Sequence, residues 1–386
     1  MLKLFGKLDS YSSMLNQSNS TLFKITNNGE IHNKQDMALL ADHKFPNGFG
    51  AYLISEKVNK SHYAHLKNVF LVTSEQEYFT DGDILRLDHN GNYASLFRSQ
   101  SKHNTIMLTE RCNHFCLMCS QPPKPDDDSW LLDETFQLIK MIPSDYECLG
   151  LSGGEPTLYG KKFIELIDHC NKYLPNTLID ILTNGRIFAK EDFTKNLAAV
   201  KNDNCMYAIP IYSDDPVRHD FVVQAKGAFN QTIKGILNLK KYNQKVEIRV
   251  VLHKQTIPRL FELCEFISRN LVFVDHVALM GLEMMGFAPS NLEELWIDPV
   301  VYKDTLSQCV HLLNTYNIPT SVYNHQLCTI NEDVYPNYRK SISDWKNEYV
   351  SECSDCLKLN DCGGFFSSSK KIRYSDHIKA FRYENT

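Results

Sequence analysis

The rhythm of apolar and polar positions changes once along the chain, near residue 104. Before that point the apolar residues come in short strand-like runs, Ala51-Tyr-Leu-Ile-Ser, Val69-Phe-Leu-Val-Thr and Asp83-Ile-Leu-Arg-Leu. They are broken by Asn47-Gly48, Asp81-Gly82 and Asn90-Gly91, pairs that favour tight turns because both positions tolerate positive φ. Residues 1–103 therefore read as an N-terminal β-rich domain. From Asn104 the pattern alternates between strand and helix, the mark of βα units around a parallel sheet. Six strands are predicted, at 105–109, 148–152, 178–183, 206–213, 246–252 and 272–280. Helices are predicted at 131–141, 161–173, 190–200 and 257–270, with another carrying Phe229, Ile233, Ile236 and Leu237. In the second of these, Phe163, Leu166, Ile167 and Cys170 share one face. Six βα units are fewer than the eight of a closed barrel.

The first of these strands runs into Cys112, Cys116 and Cys119, three thiols at C-x3-C-x2-C spacing in a polar loop with Asn113 and His114. Three thiolates so close in sequence can hold three irons of a four-iron cluster, leaving the fourth iron open to a small chelating molecule. Zinc ribbons instead use two C-x2-C pairs. Inert cysteines are the bland alternative, and three of them in one polar loop argue against it. After the second strand comes Ser152-Gly-Gly-Glu-Pro156. Gly153 and Gly154 let the backbone approach a ligand, and their carbonyls together with Glu155 can accept from an ammonium group. Pro156 fixes the exit. A plain strand-to-helix turn fits the same residues. Because ligands gather at the carboxyl ends of parallel strands, both motifs stand where a site should be.

Composition narrows the class. Hydrophobic content of 43% and charged content of 23% are ordinary for a globular protein. A formal charge of −5 without a basic block disfavours non-specific nucleic-acid binding. The opening residues hold no apolar core suited to a signal peptide, and no run is long enough to span a bilayer. Twelve cysteines then point to reduced thiols and metal ligation rather than disulfides. The expectation is a cytoplasmic, soluble metalloprotein of several domains. His62 and His65 have no further ligands nearby and read as surface residues. Asp126-Asp-Asp128, after a proline-stiffened loop, suits a helix N-terminus better than a metal.

The cysteine loop resembles that of radical S-adenosylmethionine (SAM) enzymes, in which SAM's amino and carboxylate groups occupy the open iron. That family commonly has an aromatic residue before the last cysteine; here Met118 stands there, apolar enough to pack on a nucleobase. The resemblance implies a partial (β/α)6 TIM-type barrel over residues 104–290. It implies a role in SAM binding for Gly153, Gly154 and Glu155, and a site-lining Thr183-Asn184-Gly185 turn, for which an ordinary turn is the alternative. It further implies contacts to SAM from Ser213 at the end of the fourth strand and from Arg249 in the fifth, though strand alternation leaves open which way Arg249 faces. The implied chemistry is reductive cleavage of SAM to methionine and a 5′-deoxyadenosyl radical. No catalytic acid, base or nucleophile stands out.

Residues 291–386 read as a helix over 298–317 followed by a cysteine-rich, metal-binding extension with Cys328, Cys353, Cys356 and Cys362. Four thiolates suit an auxiliary four-iron cluster; His325 and Cys328 paired with Cys353 and Cys356 would make a zinc site. Cluster binding is favoured. The C-x2-C-x5-C run resembles the auxiliary extension of peptide-modifying radical SAM enzymes, although Phe365 and Phe366 stand where those continue with another cysteine. With Cys119-Ser-Gln-Pro-Pro and the N-terminal region, the extension resembles the His-Xaa-Ser system radical SAM maturases. That resemblance implies a small peptide substrate, a His-Xaa-Ser repeat, a second radical SAM protein as partner, and an electron donor such as flavodoxin or ferredoxin. Competing readings are a radical SAM enzyme for a small heterocycle or RNA, and a non-catalytic iron–sulfur partner of another maturase.

Overall fold

The computed structural model describes residues 4–15, 20–340 and 347–383. The chain divides into two compact units, one of residues 1–106, 133–149 and 173–177, the other of 107–132, 150–172 and 178–386.

The first unit contains an eight-stranded sheet of β1 (Phe5–Lys7), β2 (Asp9–Ser12), β3 (Thr21–Thr26), β4 (Met37–Leu40), β5 (Ala51–Ser55), β6 (Val69–Val72), β7 (Ile84–Leu87) and β8 (Asn92–Phe97), in the order β1-β8-β7-β3-β4-β5-β6-β2. Strands β3 to β6 run parallel to one another. Residues 5–12 pair with β8 through β1 and with β6 through β2, so one stretch of chain serves both edges and nearly closes a barrel. Alternation along the strands fills its interior: Phe23, Ile25, Leu53, Phe70, Leu85 and Leu87 are buried in one cluster. His62 and His65 are exposed.

The second unit holds most of a seven-stranded sheet whose strands, β9 (His103–Thr109), β10 (Cys148–Gly153), β11 (Leu178–Leu182), β12 (Cys205–Pro210), β13 (Lys245–Leu252), β14 (His276–Gly281) and β15 (Thr320–Tyr323), follow chain order across the sheet. Pairing is parallel from β11 through β15. The helices between strands are α1 (Trp130–Met141), counted with the first unit from Asp133 onward, α2 (Lys161–Tyr173), α3 (Glu191–Ala198), α4 (Pro216–Val223), α5 (Ala228–Lys241), α6 (Leu260–Asn270), α7 (Leu292–Leu295) and α8 (Pro299–Thr315); α9 (Ser367–Ile372) follows the last strand. The face of α2 read from the sequence is the buried one. This is an α/β, partial TIM-type fold with a cysteine-rich C-terminal region, as expected, but with a seventh strand beyond the six anticipated. β15 has only four residues and follows Pro319, too short a run to stand out by periodicity. α4 also went unread. It starts on Pro216 at its first turn and is capped by Asp215, whose side chain accepts from the Val217 N–H.

Candidate active site

Cys112, Cys116 and Cys119 follow the carboxyl end of β9, and three separate elements hold their loop. The glycine pair after β10 lies against it: Gly154 N donates to Thr109 O at 2.7 Å and Glu155 N to Arg111 O at 2.8 Å. Gly153 has φ +137°, and a Cβ there would stand 2.2 Å from Thr109 O; one on Gly154 would stand 2.2 Å from Arg111 O. The close approach that needs glycine is therefore to the cysteine loop's own backbone, not only to a ligand. On another side, Phe115 N and Leu117 N donate to Val223 O and Val222 O, using carbonyls that the end of α4 leaves free. On a third, Phe287 N donates to Cys119 O and Asn291 Nδ2 to Leu117 O. Gly286, at φ +57°, could not carry a Cβ without striking Cys119 O at 2.1 Å.

A buried carboxylate ties the ends of β10 and β11 together. Glu155 is 1% exposed. It accepts from Thr157 N at 3.1 Å, Thr157 Oγ1 at 2.5 Å, Thr183 Oγ1 at 2.7 Å and Asn184 N at 2.6 Å. Burial pushes its pKa up, and these hydrogen bonds oppose the rise. Asn184 in turn donates from Nδ2 to Asn113 Oδ1 at 2.6 Å, which links the Thr183-Asn184-Gly185 turn to the cysteine loop. Asp128, read from the sequence as part of a helix start, is the second buried hub. It accepts from Thr109 Oγ1, Glu110 N and Arg111 Nε at the base of the same loop. Asn291 and Gly286 left no local mark in the sequence, and the partners of Asn113 and Asp128 left none either, because each acts through contacts distant in the chain.

The other expected site residues fall differently. Ser213 is fully buried, donates weakly to Asp214 Oδ1 at 3.4 Å and accepts from Asp215 N at 3.1 Å, a local turn before α4. Arg249 shares a strand face with Glu247 and Val251, opposite the buried Val246, Ile248 and Val250. Its Nε meets Glu247 Oε1 at 2.5 Å, and Glu247 Oε2 meets His276 Nδ1 at 2.7 Å. Arg249 is thus held in an ion-paired set within the barrel sheet rather than on an open surface. Met118 is 7% exposed and packs in an apolar cluster with Tyr212, Val222, Val223 and Leu295, so it belongs to the core instead of waiting for a nucleobase.

The three thiols are half-buried and free. Burial pushes the Cys112 thiol up to about 11 and raises Cys116 and Cys119, with Cys119 also raising the other two by charge repulsion. Such groups carry their thiolate charge when a metal takes the proton's place. Among the described residues no three His, Cys, Asp or Glu side chains are set to clasp a single metal ion. A four-iron cluster is wider than one ion, so its thiolates stand further apart, and three mutually interacting sulfurs in a polar loop fit that shape. Cys112 Sγ accepts from His114 N at 3.4 Å, the type of N–H···S contact that tunes iron–sulfur centres.

The C-terminal thiols also converge. Cys328 feels the charge of Cys362 and Cys353, and Cys353 that of Cys362 and Cys356. All four are free and half-buried. Gly364 N donates to Cys362 Sγ and Phe381 N to Cys356 Sγ, each at 3.4 Å. His325 is not part of this group. It is fully buried, with Nε2 on Tyr302 Oη at 2.9 Å and Nδ1 on Tyr323 O at 2.7 Å, so neither nitrogen is available and the His-containing zinc alternative falls. A narrow cavity of about 40 Å³ lies between the carboxyl ends of β13–β15 and this extension, lined by Leu252, Gly281, Asn324, Gly364, Phe366 and Arg373.

Residues 106–267 match the family model described as Radical SAM superfamily. The chain carries a radical SAM domain. Outside that domain's identity, its relatives are distant. It is 27% identical over 207 residues to the molybdenum cofactor biosynthesis protein moc-5 of Caenorhabditis elegans, covering 52% of this chain and 33% of that protein. To a probable GTP 3′,8-cyclase of Methanocella arvoryzae it is 25% identical over 195 residues, covering 46% and 61%. The chain thus spans less than two thirds of either relative. Among solved structures, native anSMEcpe with bound AdoMet and Kp18Cys peptide aligns with a TM-score of 0.51 at 14% identity, over 72% of this chain and 92% of that one. At that identity the likeness is one of fold. Among the described residues no helix is long and apolar enough to cross a membrane.

Proposed function

We propose that the protein is a radical SAM enzyme that modifies a peptide or protein substrate, with its SAM cluster held by Cys112, Cys116 and Cys119. The observation that carries the reading is the three-thiol loop clamped at the carboxyl end of β9 by the Gly153-Gly154 turn. A four-iron cluster with SAM on its open iron would supply one electron to the sulfonium and hence a carbon radical able to abstract hydrogen. The chain's own part is positional. Gly153 and Gly154 keep the loop at backbone distance, Glu155 and Asn184 lock two strand ends beside it, and the Met118 cluster closes it from behind. Ser213 and Arg249 are the further SAM contacts of this proposal: Arg249 bonds Glu247 through Nε, which leaves its terminal guanidinium N–H groups for a carboxylate.

The peptide reading is supported by the fold shared with a structure solved with a peptide, and by the four-thiol extension packed at the carboxyl ends of β13–β15. There Cys328, Cys353, Cys356 and Cys362 suit an auxiliary four-iron cluster. A His-Xaa-Ser repeat peptide, a second radical SAM protein and a flavodoxin or ferredoxin donor complete the proposal. A nucleotide substrate is the second reading, favoured by the GTP 3′,8-cyclase relative. Anaerobically reconstituted protein, given SAM and dithionite with either GTP or a His-Xaa-Ser repeat peptide, tests both. Peptide-dependent 5′-deoxyadenosine with a mass change on the peptide supports the first; turnover on GTP alone replaces it with the second. No SAM cleavage under any condition sinks both.

A further inference from the structure

We propose that the mouth of the N-terminal β-barrel binds an extended peptide segment through its backbone. The parallel strands β3, β4, β5 and β6 all end on one side of this barrel, and the loops leaving them enclose an open cavity of about 1220 Å³. Small-molecule sites occupy roughly 300–1,000 Å³, and barrel mouths are among their recurrent places. This one has room for a length of chain. Its floor is apolar, with Leu40, Val72 and Phe79 capping the barrel core, and Phe45 stands half-buried on the wall.

The wall formed by residues 42–45 favours a peptide over other ligands. Among the described residues, neither the N–H nor the carbonyl of Asp42, His43, Lys44 or Phe45 takes part in a hydrogen bond. Gly29 rests against Pro46, where a Cβ would come within 3.0 Å of Pro46 Cγ, so the neighbouring loop braces this wall. Asp42 and His43 stand at a bend and Lys44 and Phe45 in irregular chain, so the wall is not a sheet edge but offers unbonded donors and acceptors that the backbone of an extended peptide can meet. The rim carries both signs of charge, Glu30, Asp42, Glu56 and Glu77 beside Lys44 and Lys57. That mixture suits a chain of mixed polarity and opposes a polyanion, which needs clustered cations. The inference concerns this unit alone and holds whichever reaction the radical SAM domain performs.

The test uses the full chain and a pool of fluorescein-labelled synthetic peptides with random residues and apolar side chains at alternate positions. A second pool has the same side chains but N-methylated backbone at alternate residues. We expect the first pool to bind and the second to bind about tenfold more weakly, the scale of a lost net hydrogen bond or two. Lys44→Pro, which removes one wall donor, should weaken binding similarly, whereas Lys44→Ala, which keeps it, should not. Amide hydrogen exchange on the wild-type chain stands in if Lys44→Pro fails to fold: bound peptide should slow exchange at residues 42–45. The proposal is overturned if neither pool binds, if both bind alike, if Lys44→Pro binds as the wild type does, or if exchange at 42–45 is unchanged.

Discussion

The two cysteine groups differ in what holds them in place. Cys112, Cys116 and Cys119 lie within one short loop whose backbone is bonded to the turn after β10, to the end of α4 and to residues 287–291. Cys328, Cys353, Cys356 and Cys362 are gathered from more than thirty residues of chain, irregular over most of its described part. Among the described residues their scaffold is mostly local turns, with Cys353 N on Val350 O, Cys356 N on Cys353 O and Cys362 N on Lys358 O. Glu348 and Phe365 exchange two backbone hydrogen bonds, Tyr349 Oη donates to Cys362 O, and Tyr338 Oη accepts from Gly363 N. A loop pre-set by strands keeps its shape without metal, whereas an extension whose described backbone bonds are mostly local turns depends more on metal for its order. The first arrangement suits a site that must leave one iron open. The second suits a closed site.

The largest effect should follow from removing the triad. A Cys112/Cys116/Cys119→Ala triple variant should fall from about eight irons per chain to about four and lose SAM cleavage. An unchanged iron content would end the reading of this loop. Removing one thiol of the other group, Cys356→Ser, should take away about four irons while some SAM cleavage persists; one zinc lost instead of iron would make the extension a zinc site.

Next in size is Gly154→Ala. Its methyl would collide with Arg111 O, and overpacking of this kind costs about 1–3 kcal/mol or more. Iron loading at the triad should fall while loading at the C-terminal thiols is kept. Equal loss at both would mean that the two sites are not scaffolded separately. Glu155→Gln should act in the same direction but more mildly, at about 1–3 kcal/mol, because an amide cannot satisfy all four donors now served by the carboxylate. Differential scanning calorimetry beside iron content would read it.

Metal stripping sharpens the contrast without mutation. In apo protein, hydrogen exchange at residues 112–119 should stay slow, and at 347–366 it should rise toward unfolded rates. Comparable rates in both would erase the distinction drawn here.

The smallest effect concerns the barrel sheet itself. Burial works to raise the pKa of Glu247, but the hydrogen bond from His276 and the charge of Arg249 outweigh it and bring it down to about 2 from 4.5. A depressed folded pKa contributes stability that is present above pH 4.5 and lost as pH falls toward 2. Glu247→Gln should flatten that part of the barrel's acid-unfolding profile and leave proteolytic release of the C-terminal extension unchanged.

Sequence alone determined much of this protein. Three thiols at fixed spacing mark a candidate ligand set because ligand number and reach are local properties. Alternating strand and helix periods placed six of the sheet's seven strands, since burial on one face imposes its period on each segment. The β-rich character of the first 103 residues was legible in its turns. Tertiary structure decided the rest, through contacts that carry no local pattern. It turned Glu155 inward to Thr157, Thr183 and Asn184, and made Asp128 a hub under the cysteine loop. It also paired Arg249 with Glu247 and spent both His325 nitrogens on tyrosine oxygens. A buried polar side chain takes whichever partners the fold brings to it, because leaving it unbonded costs more than any role its motif suggests.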